Sequence, residues 1–245
     1  SASFPYEDTP DQLSAISATL GDLQGPKPMD RLLCGDVGYG KTEVAIRAAF
    51  MATHAGFQVA VLVPTTLLAV QHENTFKKRL GPVGINVSGL SRMKDAKEVK
   101  ETLKNIQSGK CQVLIGTHKL LSNDVQFKNL GLLVIDEEQK FGVAHKEKIK
   151  KVRAEVHVLS MTATPIPRTL NMAMSGLKEL SIITTPPQDR LSVRTYISKK
   201  KNSLIQEAVQ KEIARGGQVF FVHNRVQTIE RIWNELREIL PGISI

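Results

Sequence analysis

The run from Gly35 to Thr42 constrains this chain most, because it fits the pattern G-x-x-x-x-G-K-[ST] at every fixed position. The apolar residues 31–34 predict a strand before it, and residues 43–51 predict a helix after it. A strand that leads through a glycine-rich loop into a helix N-terminus directs backbone N–H groups at one point, which favours a polyphosphate. A glycine-rich turn that binds nothing is the alternative. The sequence context favours a nucleotide-binding α/β domain.

Each part of this loop has an expected role toward ATP and Mg²⁺. Lys41 is expected to reach the β- and γ-phosphates as a point charge, and the Thr42 hydroxyl to ligate Mg²⁺. The backbone N–H groups that cradle the phosphates are expected from Gly35, Asp36, Val37, Gly38, Tyr39 and Gly40. ATP with Mg²⁺ is therefore the predicted cofactor.

A second candidate site element, which is acidic, lies further along the chain. Residues 130–135 form a continuous apolar run, which predicts a strand buried on both faces of a parallel sheet. The sequence Asp-Glu-Glu-Gln at 136–139 follows directly, and carboxylates at the C-terminal end of such a strand face the same crevice as the phosphate loop. We expect Asp136 to hold Mg²⁺ and Glu137 to orient or deprotonate the attacking water.

Apolar strands alternate with helical segments along the first two thirds of the chain. The further strands are predicted at residues 58–63, 86–90, 113–116 and 156–159. This alternation predicts right-handed crossovers and a parallel sheet flanked by helices. The charged residues 94–104 predict a solvent-facing helix, with a DNA-contacting helix as the alternative.

Four further blocks resemble consecutive motifs of superfamily 2 helicases. They are PTTLLAVQH at 64–72, GTHKLL at 116–121, DEEQKFG at 136–142 and MTATPIPRTLNMAMSG at 161–176. The wording MDRLLCGDVGYGKTEVA is similar to the bacterial transcription-repair coupling factors, ATP-driven translocases on double-stranded DNA that displace stalled RNA polymerase. The related RecG family usually has an acidic box ending in Gln-His, whereas this box ends in Glu-Gln, and HKEKIK also favours the coupling factors. The resemblance runs from about Phe4 to Ile245 and implies a RecA-like P-loop NTPase.

The resemblance also implies roles for residues outside the phosphate loop. Gln12 is expected to read the adenine edge, with Phe4 as a stacking surface for the base; a helix-surface glutamine is the alternative. Thr162 and Thr164 resemble the motif that couples hydrolysis to lobe movement. Gln139 is expected to relay between those threonines and the acidic box.

Phosphate contacts to a tracked DNA strand are implied where loops follow the sheet strands, and such contacts position DNA without reading its sequence. The candidates are Pro64, Thr65, Thr66, Ser91, Arg92, Gly116, Thr117, His118 and Arg168. A structural histidine is the alternative for His118, and a cap between lobes is the alternative for Arg168. The sequence shows no cluster of exposed aromatic residues, which favours backbone tracking over base stacking.

Composition agrees with a nucleic-acid partner but does not establish one. The formal charge of +9 leaves lysine and arginine available to neutralise phosphates. Cys34 and Cys111 are predicted to be buried thiols in a reducing compartment. Without a membrane-length apolar run or a signal segment, the expected location is the cytoplasm, with no membrane partner.

The sequence changes character after residue 184. Residues 1–184 are predicted to form an ATP-binding lobe, 185–200 a linker because Thr185-Pro186-Pro187 cannot continue a helix, and 201–245 the start of a second RecA-like lobe. A buried strand is predicted at 218–222 and a helix at 228–240. In the resembled family, an arginine finger, a translocation element, and domains for RNA polymerase and nucleotide-excision repair proteins lie outside these 245 residues. The chain alone is therefore expected to hydrolyse ATP slowly.

Four functional hypotheses remain open. The favoured one is the ATP-dependent motor of a transcription-coupled repair translocase. The alternatives are a RecG-type fork-remodelling helicase, a nucleotide-binding switch that does not move on DNA, and an interaction module with an inactive phosphate loop. Intact Lys41, Thr42, Asp136 and Glu137 disfavour the inactive loop.

Overall fold

The computed structural model describes residues 7–91, 93–142, 145, 148–149, 155–163, 179–187 and 195–245. The chain divides into two compact units, Ser1–Arg190 and Leu191–Ile245.

The described part of the first unit is built on a parallel sheet. Its strands are β1 (Asp30–Gly35), β2 (Gln58–Leu62), β3 (Val87–Leu90), β4 (Val113–Gly116), β5 (Leu130–Asp136), β6 (His157–Thr162) and β7 (Glu179–Ile183). The strands lie in the order β3-β4-β2-β5-β6-β1-β7, and every pairing is parallel. The predicted parallel α/β sheet is confirmed, and the six strands predicted before residue 184 are found with bounds that differ by at most three residues.

Helices α1 (Pro10–Leu23), α2 (Lys41–His54), α3 (Thr66–Leu80) and α4 (Ala96–Ser108) accompany this sheet. Capping side chains set three of the helix starts: Thr9 and Asp95 form capping boxes, and Thr65 accepts a hydrogen bond from the N–H group of Leu68. Helix α4 has only Thr102 and Ile106 buried, so the predicted solvent-facing helix is confirmed.

Alternate residues of the central strands feed two separate apolar clusters, because successive side chains of a strand point to opposite faces of a sheet. On β2, Val59 and Val61 belong to the cluster that contains α2 and α3 residues such as Ala48 and Phe76. Ala60 and Leu62, which alternate with them along β2, belong to the other cluster, which contains Ile106 of α4. The sheet is therefore covered on both faces, as the continuous apolar runs predicted.

A buried ionic network fixes α2 against α3. Glu43 accepts hydrogen bonds from Arg47 at 2.9 Å and from Arg79 at 2.8 Å, and Arg47 also donates to Asp8 at 2.7 Å. The Glu43 side chain is only 4% exposed, and the two arginines supply the hydrogen bonds that its burial would otherwise remove. The network holds the helix that begins at the phosphate loop in a fixed position.

Strand β7 was not predicted. Its sequence ELSII alternates in burial, with Ser181 and Ile183 buried and Ile182 exposed, and it pairs with β1 at the edge of the sheet. A short run of this kind close to the Pro186-Pro187 pair gives a weak signal, so the sequence pattern alone does not indicate a strand at residues 179–183.

The second unit contains helices α5 (Asn202–Ala214) and α6 (Ile229–Ile239), which pack through Val209, Leu236 and Ile239. The helix predicted at 228–240 is confirmed. The buried strand predicted at 218–222 is wrong: these residues have no strand assignment, and Phe220 is 90% exposed. A strand needs a partner for its backbone groups, and the described residues of this unit hold no other strand.

The prediction that the chain lacks a cluster of exposed aromatic residues is also wrong for the second unit. Phe220, Phe221 and Trp233 are 90%, 45% and 41% exposed. They line one apolar groove of about 720 Å³ together with Val209 and Leu236. Val219, Phe220 and Phe221 of the predicted strand therefore lie on this groove instead of in a sheet.

Candidate nucleotide site

The phosphate loop lies between β1 and α2, where the sequence predicted it. Strand β1 ends at Gly35 and α2 begins at Lys41. Gly38 and Gly40 have φ angles of 81° and 82°, in the left-handed region that favours glycine. Gly40 is the N-cap of α2 and supplies no side-chain cap, so the first N–H groups of the helix are left for another acceptor.

Lys41 lies over this loop. Its ammonium donates hydrogen bonds to the carbonyl oxygen of Gly35 at 2.6 Å and to that of Asp36 at 3.0 Å. Burial lowers the pKa of Lys41, while the carboxylates of Asp136 and Glu137 oppose that shift. The structure thus brings the acidic box and the loop lysine, which lie far apart in sequence, into one electrostatic site.

Gln12 joins α1 to the loop. Its side chain is 2% exposed; the amide oxygen accepts from Thr9 N–H at 2.9 Å, and the amide nitrogen donates to the carbonyl oxygen of Tyr39 at 2.9 Å. A Cβ atom at Gly40 would overlap this nitrogen, and the left-handed backbone of Gly40 also favours glycine. The alternative of a helix-surface glutamine is wrong, and adenine recognition by Gln12 stays a prediction.

Asp136 is the last residue of β5, at the C-terminal edge of the sheet. One of its carboxylate oxygens, Oδ2, lies 3.2 Å from Nε2 of His72 on α3. The side chain is 14% exposed, so it is largely shielded but still reaches the crevice. Together with the Thr42 hydroxyl it supplies hard oxygen donors of the kind that Mg²⁺ prefers, so the residues fit the predicted metal.

Glu137 has a left-handed backbone, with φ 50° and ψ 54°. Its carboxylate accepts from Ala163 N–H at 2.8 Å and from the Thr162 hydroxyl at 3.3 Å, and also from the Gln139 side-chain amide. The structure therefore brings together three residues that the resemblance connected: Glu137, Gln139 and Thr162. Their roles in catalysis and coupling stay predictions.

Sequence reasoning missed three polar residues at this edge of the sheet: His72, Glu138 and Ser160. The Ser160 hydroxyl donates to the Glu138 carboxylate at 3.0 Å, and His72 contacts Asp136. His72 lies inside the quoted block at 64–72, but nothing local in the sequence indicates a partner that is 64 residues away.

The DNA candidates that the structure describes follow neighbouring strands. Pro64, Ser91 and Thr117 come after β2, β3 and β4, which are adjacent in the sheet, so these loops share the edge that carries the phosphate loop. Ser91 and Thr117 are 5% and 7% exposed, so little of either residue is accessible to a phosphate in this conformation.

Among the remaining candidates, Thr66 is the first residue of α3 and Gly116 the last of β4. Thr65 is exposed, and so is His118, whose ring centroid lies 5.1 Å from that of His145. DNA contact at all of these residues stays a prediction. Four predicted site residues lie outside the described part of the chain: Phe4, Arg92, Thr164 and Arg168.

The two cysteines are buried, as predicted, and burial raises the pKa of both thiols. Within the described residues, no group of three or more histidine, cysteine, aspartate or glutamate side chains is arranged to hold a metal ion. In the same part of the chain, no helix combines the length and apolar character needed to cross a membrane.

The fold and the loop define a RecA-like P-loop domain of the helicase type. The DEAD/DEAH box helicase family matches residues 9–173, well over half of the chain. The chain therefore belongs to the DEAD/DEAH box helicase family.

The relatives narrow this further. The chain is 57% identical over 244 residues to a transcription-repair-coupling factor of Myxococcus xanthus, and 54% identical to those of Bacillus subtilis and Escherichia coli. These matches cover 99–100% of the chain but only 20–21% of each relative, so the chain spans about a fifth of their length.

Two solved structures share the fold. The structure of RecG bound to a three-way DNA junction superposes with a TM-score of 0.79 at 34% identity, covering 97% of this chain and 32% of that one. A DNA-bound structure of the helicase MrfA has a TM-score of 0.65 at 15% identity, covering 93% of this chain and 36% of that one. The second likeness shows the fold alone.

Proposed function

We propose that this chain is the ATP-binding motor region of a double-stranded DNA translocase that acts in transcription-coupled repair. The observation that carries the proposal is the position of three residues at one edge of the parallel sheet: Lys41 begins α2 directly after the phosphate loop, Asp136 ends β5, and Glu137 follows it. The similarity to transcription-repair-coupling factors over the whole chain supports the particular type of motor.

Each side chain has a role that its position supports. The N–H groups at the start of α2 and the Lys41 ammonium bind the phosphates, and Asp136 with Thr42 holds Mg²⁺. Mg²⁺, when bound with ATP, neutralises charge on the β- and γ-phosphates. Glu137 orients the attacking water and takes its proton, because its carboxylate is fixed by the Ala163 N–H group and the Thr162 hydroxyl. Thr162, in contact with Glu137, couples hydrolysis to movement.

The second unit is the beginning of a second RecA-like lobe in this proposal. Double-stranded DNA is the track, and contacts follow β2, β3 and β4 at the sheet edge. RNA polymerase and nucleotide-excision repair proteins are engaged through regions that this chain does not include. The location that fits these partners is the cytoplasm.

A RecG-type fork-remodelling helicase is the second candidate. The RecG structure, which is bound to a three-way junction, supports it through its 34% identity and TM-score of 0.79. The two activities differ in their DNA: a fork remodeller is stimulated by branched junctions, whereas a coupling-factor motor is stimulated by linear duplex and displaces a stalled polymerase.

The proposal predicts that this chain hydrolyses ATP slowly and that duplex DNA changes the rate little. An arginine finger from a second lobe is typically worth about 10³ to 10⁵ in rate. A chimera in which the following region of the Bacillus subtilis relative is fused after Ile245 is expected to show duplex-stimulated hydrolysis, faster by orders of magnitude. The measurement is phosphate release from both proteins, without DNA, with linear duplex and with a three-way junction.

Three outcomes separate the hypotheses. Stimulation of the chimera by linear duplex supports the translocase, and stimulation only by the junction supports the fork remodeller. No response to any DNA would favour a nucleotide-binding switch. Brisk, duplex-stimulated hydrolysis by the chain alone would contradict the need for a second lobe.

A further inference from the structure

We propose that His72 is a positioning residue for the Mg²⁺ site, holding the Asp136 carboxylate in one orientation toward the phosphate loop. The inference rests on the proposed function, because it takes Asp136 as the residue that holds the metal. The imidazole Nε2 lies 3.2 Å from Asp136 Oδ2 and is contributed by α3, a different element from the strand that carries the carboxylate.

The hydrogen bond sets the role of one ring nitrogen of His72. A carboxylate oxygen accepts hydrogen bonds, so Nε2 donates to Oδ2. The other ring nitrogen, Nδ1, is buried with no hydrogen-bond partner among the described residues. A side chain that served only to fill this space would not need a polar ring with an unpaired nitrogen. The contact with Asp136 is therefore the interaction that the ring provides.

Asp136 needs such a contact. The terminal torsion of an aspartate is broad, so a carboxylate without a partner rotates among several orientations. The His72 ring is itself held, since it is 7% exposed and lies against Phe76 with a centroid distance of 6.2 Å. A fixed ring and a directional hydrogen bond together restrict the carboxylate before the metal binds. Removing the hydrogen-bond partner of a metal-binding carboxylate typically lowers metal affinity about 10–100-fold.

The test uses ADP and Mg²⁺ as probes, with His72→Phe as the main variant. Phenylalanine keeps a ring beside Phe76 but cannot donate to Asp136. Calorimetry first measures the affinity for ADP in EDTA. A titration of Mg²⁺ at fixed ADP then gives the Mg²⁺ concentration at which the gain in ADP affinity is half-maximal. We expect His72→Phe to leave the affinity in EDTA within about twofold and to raise the half-maximal Mg²⁺ concentration about 10–100-fold.

Two amides of different length keep the test decisive if His72→Phe does not fold. The amide nitrogen of His72→Gln occupies nearly the place of Nε2 and can donate to Oδ2, whereas His72→Asn is too short to reach. The expected result is a near-normal Mg²⁺ dependence for His72→Gln and a weakened one for His72→Asn. Gln71→Ala, at the exposed neighbouring position of α3, is the matched control and should behave as the unmodified chain.

The outcomes distinguish this inference from the proposed function. An unchanged Mg²⁺ dependence in a folded His72→Phe variant, or the same dependence in His72→Gln and His72→Asn, overturns the role of His72. If the unmodified chain binds no ADP at all, or binds it without any effect of Mg²⁺, the nucleotide and metal assignment fails first, and this inference fails with it.

Discussion

Among the described residues, Glu137 is the one non-glycine residue with a positive φ angle. A backbone of this kind costs about 1–3 kcal/mol and persists only where the surroundings fix it. Here the Glu137 N–H group donates to the carbonyl oxygen of Met161 at 2.9 Å, and the carboxylate is held by Ala163 and Thr162. The strained conformation turns the carboxylate from the end of β5 toward the end of β6. A carboxylate held in this way suits a base better than a freely moving surface glutamate.

Replacing Glu137 by glutamine is therefore expected to separate binding from hydrolysis. The amide oxygen can still accept from Ala163, so the local structure and the affinity for ATP should change little. An amide cannot take a proton, so residual phosphate release should fall by about 10²–10⁴. ATP affinity is measured by calorimetry and turnover by phosphate release. An equal loss of both would instead assign Glu137 to the metal or to the fold.

At this scale the sequence predicted the residues whose pattern is local. The phosphate loop is contiguous, and Asp136 and Glu137 directly follow an apolar strand, so both could be assigned without knowing the fold. The contacts of His72 with Asp136 and of Gln12 with Tyr39 join residues 64 and 27 positions apart. They depend on how α3 and α1 pack, which no local pattern indicates.

At the scale of elements, one carboxylate fastens α1 to the residues that follow β7. Asp11 Oδ2 accepts hydrogen bonds from the N–H and O–H groups of both Thr184 and Thr185, at 2.8–2.9 Å. Asp11 also lies in the first turn of α1, where a negative charge is favourable. Gln12, which contacts the phosphate loop, is the next residue. These hydrogen bonds of Asp11 with Thr184 and Thr185, called the Asp11 clasp, join α1 to the residues between the edge strand β7 and the Pro186-Pro187 pair.

The clasp has a pH signature. Four hydrogen bonds lower the pKa of Asp11 from 3.8 to about 2. The Thr184 hydroxyl contributes most, followed by the N–H groups of Thr184 and Thr185 and then by the Thr185 hydroxyl. Because the folded pKa lies below the unfolded one, the stabilisation is complete above about pH 4 and is lost as the pH falls toward 2. An NMR titration of the Asp11 carboxyl carbon is expected to show a midpoint near 2.

Thr184→Val with Thr185→Val should raise that midpoint toward 3.8, because both hydroxyl donors are removed. Thr53→Val, a threonine whose hydroxyl bonds only within α2, is the control and should leave the midpoint unchanged. A midpoint near 3.8 in the unmodified chain would show that the threonines do not hold Asp11 in solution.

The elements themselves were only partly predictable. Continuous apolar runs located β2, β4 and β5 because strands buried on both faces carry little polar alternation. Strand β7 was missed, since an edge strand of five residues shows weaker patterning. The strand predicted at residues 218–222 was wrong for another reason. Their composition suits a strand, but a strand must pair with a neighbouring strand, and the described part of the second unit contains no strand.

At the scale of the whole molecule, the nucleotide site described here lies within the first unit. The phosphate loop, the acidic box, His72 and the Asp11 clasp are all held by one parallel sheet and its helices. Because of this arrangement, we expect that a substitution can abolish ATP hydrolysis without abolishing nucleotide binding. Nucleotide affinity should belong to the first unit alone, whereas rapid hydrolysis and its response to DNA should also depend on a second lobe.

The most direct test of the account is nucleotide binding by the chain and by Lys41→Ala, followed through thermal unfolding. Mg²⁺ with ADP at a hundred times its dissociation constant should stabilise the unmodified chain by about 2.7 kcal/mol. Lys41→Ala should lose that stabilisation, yet unfold near the same temperature without ligand, because burial already disfavours the Lys41 charge. Lys100→Ala, at an exposed position on α4, is the charge-matched control and should respond as the unmodified chain. If ADP with Mg²⁺ does not change the unfolding temperature of the unmodified chain, or raises that of Lys41→Ala equally, the assignment of the phosphate loop is wrong.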